Sequence, residues 1–158
     1  MKISAHLCFD GTCEEAFRFY QQILGGVITT MLRYGESPLA QQTPAHMRSK
    51  IIHATLVIGA HELLGADIAL AERTVPAGYF VTVGVPDPVR AEEVFRALSS
   101  DGEVRMPFQK TFWSAGFGVL VDRFGIPWEV NCEQTVGSAQ PGAPADLAAS
   151  APLRQQSG

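Results

Sequence analysis

Glu129, His6, His53, Trp113 and Phe117 are the side chains whose types and spacing could do chemistry in this chain. Glu129 stands between Trp128 and Val130. Alternation along a strand sends a residue to the face opposite its neighbours, so two large apolar side chains packed under a helix leave the carboxylate on the other side of the sheet. A carboxylate held there needs a cation, an arginine or a proton, and a proton would make Glu129 a catalytic general acid or base. His6 shares a polar strand face with Ser4 and Cys8, and His53 is a polar member of an otherwise apolar strand. Imidazole with carboxylate suits zinc, iron, nickel or manganese, and a catalytic ion takes about three protein ligands with one position left open. His6 and Glu129, joined by His53 or Glu62, would supply three. The alternative is a hydrogen-bonded strand histidine and a carboxylate satisfied by Arg33, Arg105 or water. Phe112, Trp113, Phe117 and Trp128 can stack on a ligand or fill the space between sheet and helix, and at least two should do the latter. Trp113 is the first pocket candidate because it opens a glycine-interrupted strand. Cys8 becomes a nucleophile only if His6 lowers its pKa. His46 and His61 fall in loop and turn and are expected to be solvated.

The elements that must position these groups follow from the pattern. Ile3 to Phe9 alternates as a strand, with Ile3, Ala5, Leu7 and Phe9 on one face. Asp10-Gly11 turns the chain. Thr12 with Glu15 reads as a capping box for a helix starting at Cys13, striped by Ala16, Phe19, Tyr20, Ile23 and Leu24 and stopped by Gly25-Gly26. Val27 to Tyr34 is β-branched. Gly35 to Ser49 has no usable period and is expected to be a lid, a partner contact or disordered. Lys50 to Ile58 and His61 to Gly65 form a hairpin, and Ala69 to Ala77 is a link. After a strand from Gly78 to Val85, Asp87-Pro88 starts a second helix striped by Ala91, Val94, Phe95 and Leu98. Glu103 to Phe108, Trp113 to Val121 and Ile126 to Asn131 read as the last strands, with Gly116 and Gly118 where backbone bends or a neighbour comes close. The tail 134–158, small residues with proline, has too little apolar surface for a core and is expected to be disordered.

Composition removes several classes. The 158 residues are 46% hydrophobic, enough for one sizeable core. A net charge of -4 without a basic stripe argues against a nucleic-acid partner. No stretch is long and apolar enough for a membrane partner or a signal peptide, so the expectation is a cytoplasmic protein. Three cysteines without CxxC spacing point to reduced thiols. No phosphate-binding glycine loop, serine nucleophile elbow or nucleotide fingerprint is present.

The two halves share one plan: strand, aspartate turn, capped helix, three strands. Glu14-Glu15-Ala16-Phe17-Arg18 is matched by Glu92-Glu93-Val94-Phe95-Arg96. Agreement in element order and in local sequence favours an internal duplication. The expected fold class is α+β: duplicated βαβββ modules forming a curved, half-barrel sheet, mixed to antiparallel, with helices on the outside and a cavity within. Residues 1–133 make one domain, with module one at 1–68 and module two at 77–133.

With Phe9-Asp10-Gly11, Lys50-Ile51-Ile52-His53-Ala54, Met106-Pro107, Phe112-Trp113, Gly118, Asp122, Phe124-Gly125 and Pro127-Trp128, this plan resembles the PhnB-like group of the vicinal oxygen chelate superfamily, also called the glyoxalase/bleomycin-resistance/dioxygenase superfamily. The resemblance covers about residues 1 to 133. It implies glyoxalase-like paired modules, a homodimer and a small-molecule partner. The function it implies is either that of a metal-dependent lyase, isomerase or dioxygenase, or that of a metal-free protein that sequesters a drug, as in bleomycin resistance. A structural dimer with a self-filled cavity is the third reading, since a fold does not choose its function. The superfamily's divalent metal ligands lie on the first, fourth, fifth and last strands. Glu129 matches the last and His6 is a shifted match to the first. The fourth falls near Glu62 or Leu64 and the fifth near Tyr79 or Phe80.

Overall fold

The computed structural model describes residues 1–68 and 78–133. The predicted link and tail, 69–77 and 134–158, lie outside the described residues. Module one runs β1 (Ala5–Phe9), α1 (Cys13–Leu24), β2 (Val27–Arg33), β3 (Ile51–Ile58) and β4 (His61–Asp67). Module two repeats it as β5 (Val81–Val85), α2 (Pro88–Ser99), β6 (Glu103–Gln109), β7 (Phe117–Val121) and β8 (Pro127–Cys132). The eight strands form two four-stranded sheets, ordered β1-β4-β3-β2 and β5-β8-β7-β6, and not one continuous sheet. In each, the first strand pairs with the last in parallel and the rest are antiparallel. The register repeats as well. His6 opposes Leu64 in the first sheet as Thr82 opposes Glu129 in the second.

One face of each sheet is apolar because alternation puts Leu7 and Phe9, or Trp128 and Val130, on the helix side. The buried stripes of α1 (Ala16, Phe17, Tyr20, Ile23) and α2 (Ala91, Val94, Phe95, Leu98) cover those faces and join both modules in one hydrophobic core. The duplicated helix motif makes the same local ion pair twice. Arg18 meets Glu14 at 2.8 Å and Arg96 meets Glu92 at 2.5 Å, each one helical turn apart.

The two helix starts differ. Asp87 caps α2 as its sequence predicts, accepting from Arg90 N at 2.7 Å with Pro88 in the first turn. At α1 the predicted capping box does not form, because Thr12 makes no side-chain cap. Asp67 does the work from the end of β4: Oδ1 accepts from Cys13 N at 2.9 Å and Oδ2 from Ile51 N at 2.8 Å, with the residue 1% exposed. Burial, followed by the Asp67 charge, pushes the Cys13 thiol well above its usual pKa. The three cysteines are unpaired.

Asp122 is the second buried carboxylate. Its Oδ1 accepts from Phe124 N at 2.8 Å and Ile126 N at 2.9 Å, tying the β7–β8 turn. Its Oδ2 accepts from Trp128 Nε1 at 2.8 Å and Tyr20 Oη at 2.6 Å, and the last bond fastens α1 to module two. Arg90 Nη2 donates across the same junction to Ile23 O. Burial first, then the Asp122 charge, raises the Tyr20 phenol above its ordinary range, so it stays a donor.

Candidate functional site

Glu129 stands where alternation requires, on the face of the second sheet turned away from the helices, while Trp128 and Val130 are fully buried. It is half-buried and accepts from Thr82 Oγ1 at 3.0 Å across the β5–β8 pair. The compensating group is therefore a hydroxyl. The arginines offered, with water, as alternatives for it are engaged elsewhere, Arg33 with Glu14 at 2.6 Å and Arg105 near Glu103 at 3.8 Å.

Phe117 shares this open face, since it opposes Asn131, two residues along from Glu129. Trp113 lies in the β6–β7 loop, not in a strand, because β7 begins only at Phe117. Ser114, fully buried, holds the loop: its Oγ lies 2.8 Å from Gly116 O and 2.9 Å from Cys132 O, donating its proton to this carbonyl pair. That anchor sets Trp113 edge-on to Phe117 at 5.6 Å between ring centroids, with Phe112 edge-on to Trp113 at 4.5 Å. Phe112 is 96% exposed and Trp113 50%. The strand glycines serve close approach. A Cβ at Gly118 would meet the Phe95 ring at 2.5 Å, and one at Gly116 the Phe108 ring at 2.3 Å. Trp128 and Phe108 thus fill space, whereas the Phe112, Trp113 and Phe117 rings are left on or near the surface. Ser114 was missed by sequence reasoning because an isolated serine between aromatics carries no periodic signal.

His6 and His53 meet on the open face of the first sheet, edge-on with ring centroids 6.5 Å apart. His53 Nε2 lies 3.2 Å from Thr55 Oγ1. Glu62 on the same sheet pairs with Lys2 at 2.5 Å and accepts from Ser4 Oγ at 2.9 Å, and Lys2 first, then Ser4, holds its carboxyl below the usual range. Cys8 is exposed, as are His46 and His61.

The structure therefore makes two groups: His6 with His53 on one sheet, and Glu129 with Thr82, Phe117 and Trp113 on the other. The strand position across from Glu129 is Thr82, not Tyr79 or Phe80, and the position across from His6 is Leu64, not Glu62. Neither side chain is a good ligand for a transition metal. Among the described residues no three His, Cys, Asp or Glu side chains converge as a metal-holding group. The donor set among the described residues does not fit a catalytic divalent ion.

The repeated strand pairing and the open sheet faces define a protein of glyoxalase-like fold. A glyoxalase/bleomycin resistance protein/dioxygenase from Nocardioides, 20% identical, shares that fold with a TM-score of 0.51 over 91% of this chain and 90% of its own. The chain belongs to the PhnB-like family whose model is described as 3-demethylubiquinone-9 3-methyltransferase, matched over residues 1–131. It is 29% identical to Protein YjdN of Escherichia coli strain K12 over 83% of this chain and 95% of that protein. Among solved structures it is similar to protein PA1353 from Pseudomonas aeruginosa, at 42% identity, a TM-score of 0.78 and coverage of 85% and 98%. The putative 3-demethylubiquinone-9 3-methyltransferase, PhnB protein, from Bacillus cereus is 27% identical, with a TM-score of 0.70 and coverage of 83% and 98%.

Proposed function

We propose that this protein binds an aromatic or otherwise apolar small molecule, without turnover, on the open face of the second module between the Trp113–Phe117 pair and Glu129. The exposed aromatic group carries this reading: Trp113 stays half exposed although the buried Ser114 fixes its loop. Rings held in place with one face free suit stacking, and the half-buried carboxylate beside them suits a ligand donor. A metal-dependent lyase, isomerase or dioxygenase would need more ligands than His6 and Glu129 provide. Methyl transfer, which the family description names, would need a methyl-donor site, and no nucleotide fingerprint appears in the sequence.

Fluorescence tests the reading. Trp128 is fully buried and Trp113 half exposed, so an aromatic ligand should quench and shift Trp113 alone. Trp113→Leu should weaken binding by about tenfold or more, the scale of a lost stacking contact. Glu129→Gln should weaken donor-bearing ligands while changing stability by about 1 kcal/mol or less, because the amide oxygen still accepts from Thr82. Binding untouched by both substitutions would reject the proposal. A stoichiometric transition metal in protein purified without chelator would favour the enzymatic reading instead.

The same reading takes the protein to be a cytoplasmic homodimer. No helix among the described residues is long and apolar enough to cross a membrane, and the edge strands β1 and β5 are paired on one side only. Light scattering should give twice the 17.0 kDa chain mass. A monomer at every concentration would count against it.

A further inference from the structure

A cleft of about 560 Å³ runs along the unpaired edge of β5, between module two and the end of α1 with the β3–β4 hairpin of module one. Its walls are apolar, with Leu24, Ile58, Leu63, Val81, Val83 and Val94. The volume is in the range that small organic ligands occupy. It meets the open face of the second sheet at Thr82 and Asn131, but Trp113, Phe117 and Glu129 are not in its lining.

The polar groups at this edge are unbalanced. Gly84 has no Cβ, and the Glu133 carboxylate lies on the space so left, where a Cβ would sit 2.1 Å from Oε1. The residue directly across the strand pair from Gly84 is Asn131. Its Oδ1 is buried without a hydrogen-bond partner, the one such side-chain atom among the described residues. Glu133 makes its backbone bond to Val85 O at 3.0 Å, but no ion pair or side-chain hydrogen bond joins its carboxylate among the described residues. Two acceptors thus flank Gly84 with no donor between them. The nearby cations are committed: Arg90 to Glu93 at 3.1 Å and to Ile23 O, and Lys2 to Glu62 at 2.5 Å. His61, also in the lining, is exposed.

We propose that this cleft binds a small organic cation, an ammonium or amidinium head on an apolar body, with the head at Glu133 and Asn131 on the open face and the body passing round the free edge of β5 onto Leu63, Val81 and Val83. A head with several N–H donors satisfies a carboxylate and a carboxamide oxygen together, and its positive charge balances the carboxylate, which a neutral or anionic ligand cannot do. The apolar walls then add affinity for the body in proportion to the area they cover.

The test uses the full chain and hexylammonium, compared with 1-hexanol, hexanoate and ammonium chloride, by calorimetry and amide chemical-shift mapping. Saturable hexylammonium binding is expected, with shifts centred on Val83, Gly84 and Asn131 and with hexanol and hexanoate at least about tenfold weaker, as charge-assisted bonds imply. Glu133→Gln, at an exposed position, should cut hexylammonium affinity by about the same factor and leave the spectrum folded. Gly84→Ala should do likewise by displacing the flexible carboxylate. The proposal is overturned by equal affinity for hexanol, by the same shifts with ammonium chloride at the same concentration, by absence of saturable binding, or by shifts centred on Trp113 and Phe117. The last outcome would leave the open-face proposal standing while removing this one.

Discussion

Asp122→Asn is expected to lower the free energy of unfolding by about 3 to 5 kcal/mol, the scale of breaking a buried, hydrogen-bonded charge network. The carboxylate accepts from four donors, two on each oxygen. A carboxamide of the same shape has one oxygen and one NH2 group, so one pair of donors must face another donor. If the oxygen keeps Phe124 N and Ile126 N, the NH2 group faces Trp128 Nε1, which cannot reverse its role, and Tyr20, which can only by turning its hydroxyl. With Asp122 only 3% exposed, water cannot repair the mismatch. Urea or thermal denaturation checks this, and Tyr20→Phe, which removes one bond of the four, should cost about 1 to 2 kcal/mol. A loss below about 1 kcal/mol for Asp122→Asn would show that the network is not what holds α1 to module two. Because this turn leads into β8, the variant should also loosen the position of Glu129.

Asp67→Ala is the second large effect, about 2 to 4 kcal/mol, set by leaving the N–H groups of Cys13 and Ile51 without acceptors inside the protein. One carboxylate closes the start of α1 and the start of β3 at once, which makes the loss larger than that of an exposed cap. The comparison with Thr12→Ala is decisive. Thr12 makes no side-chain cap, so its replacement should change stability by no more than about 0.5 kcal/mol. Denaturation midpoints reversed in that order would return the capping role to Thr12.

Local pattern was sufficient wherever the physics is local. The two matched helices, the buried stripe of α2, the Asp87-Pro88 start and the i,i+4 pairs of Glu14 with Arg18 and Glu92 with Arg96 depend on residues within a turn or two of one another, whereas the stripe of α1 is centred on Phe17, with the expected Phe19 and Leu24 only partly buried at its margin. Period-two alternation likewise put Glu129 on the face opposite Trp128 and Val130. The strand assigned from Trp113 failed for a related reason. Aromatic residues suit strands, but Ser114 is held by Cys132, 18 residues away, and this bond keeps Trp113 in a loop.

Only the tertiary structure decided which acids are buried and what compensates each. Asp67, which no local pattern singled out, and Asp122, between the last two strands, became the enclosed carboxylates, because their donors come from Cys13, 54 positions away, and from Tyr20, 102 positions away. Glu129 gained a threonine in place of an arginine because the parallel register of β5 with β8 sets Thr82 opposite it. His6 and Glu129, which looked like partners for one ion, stand on two different sheets, because β1 pairs with β4 and β8 with β5. Strand register is fixed by burying whole faces against helices, and a single sequence records the faces but not which residues the packing brings across from one another.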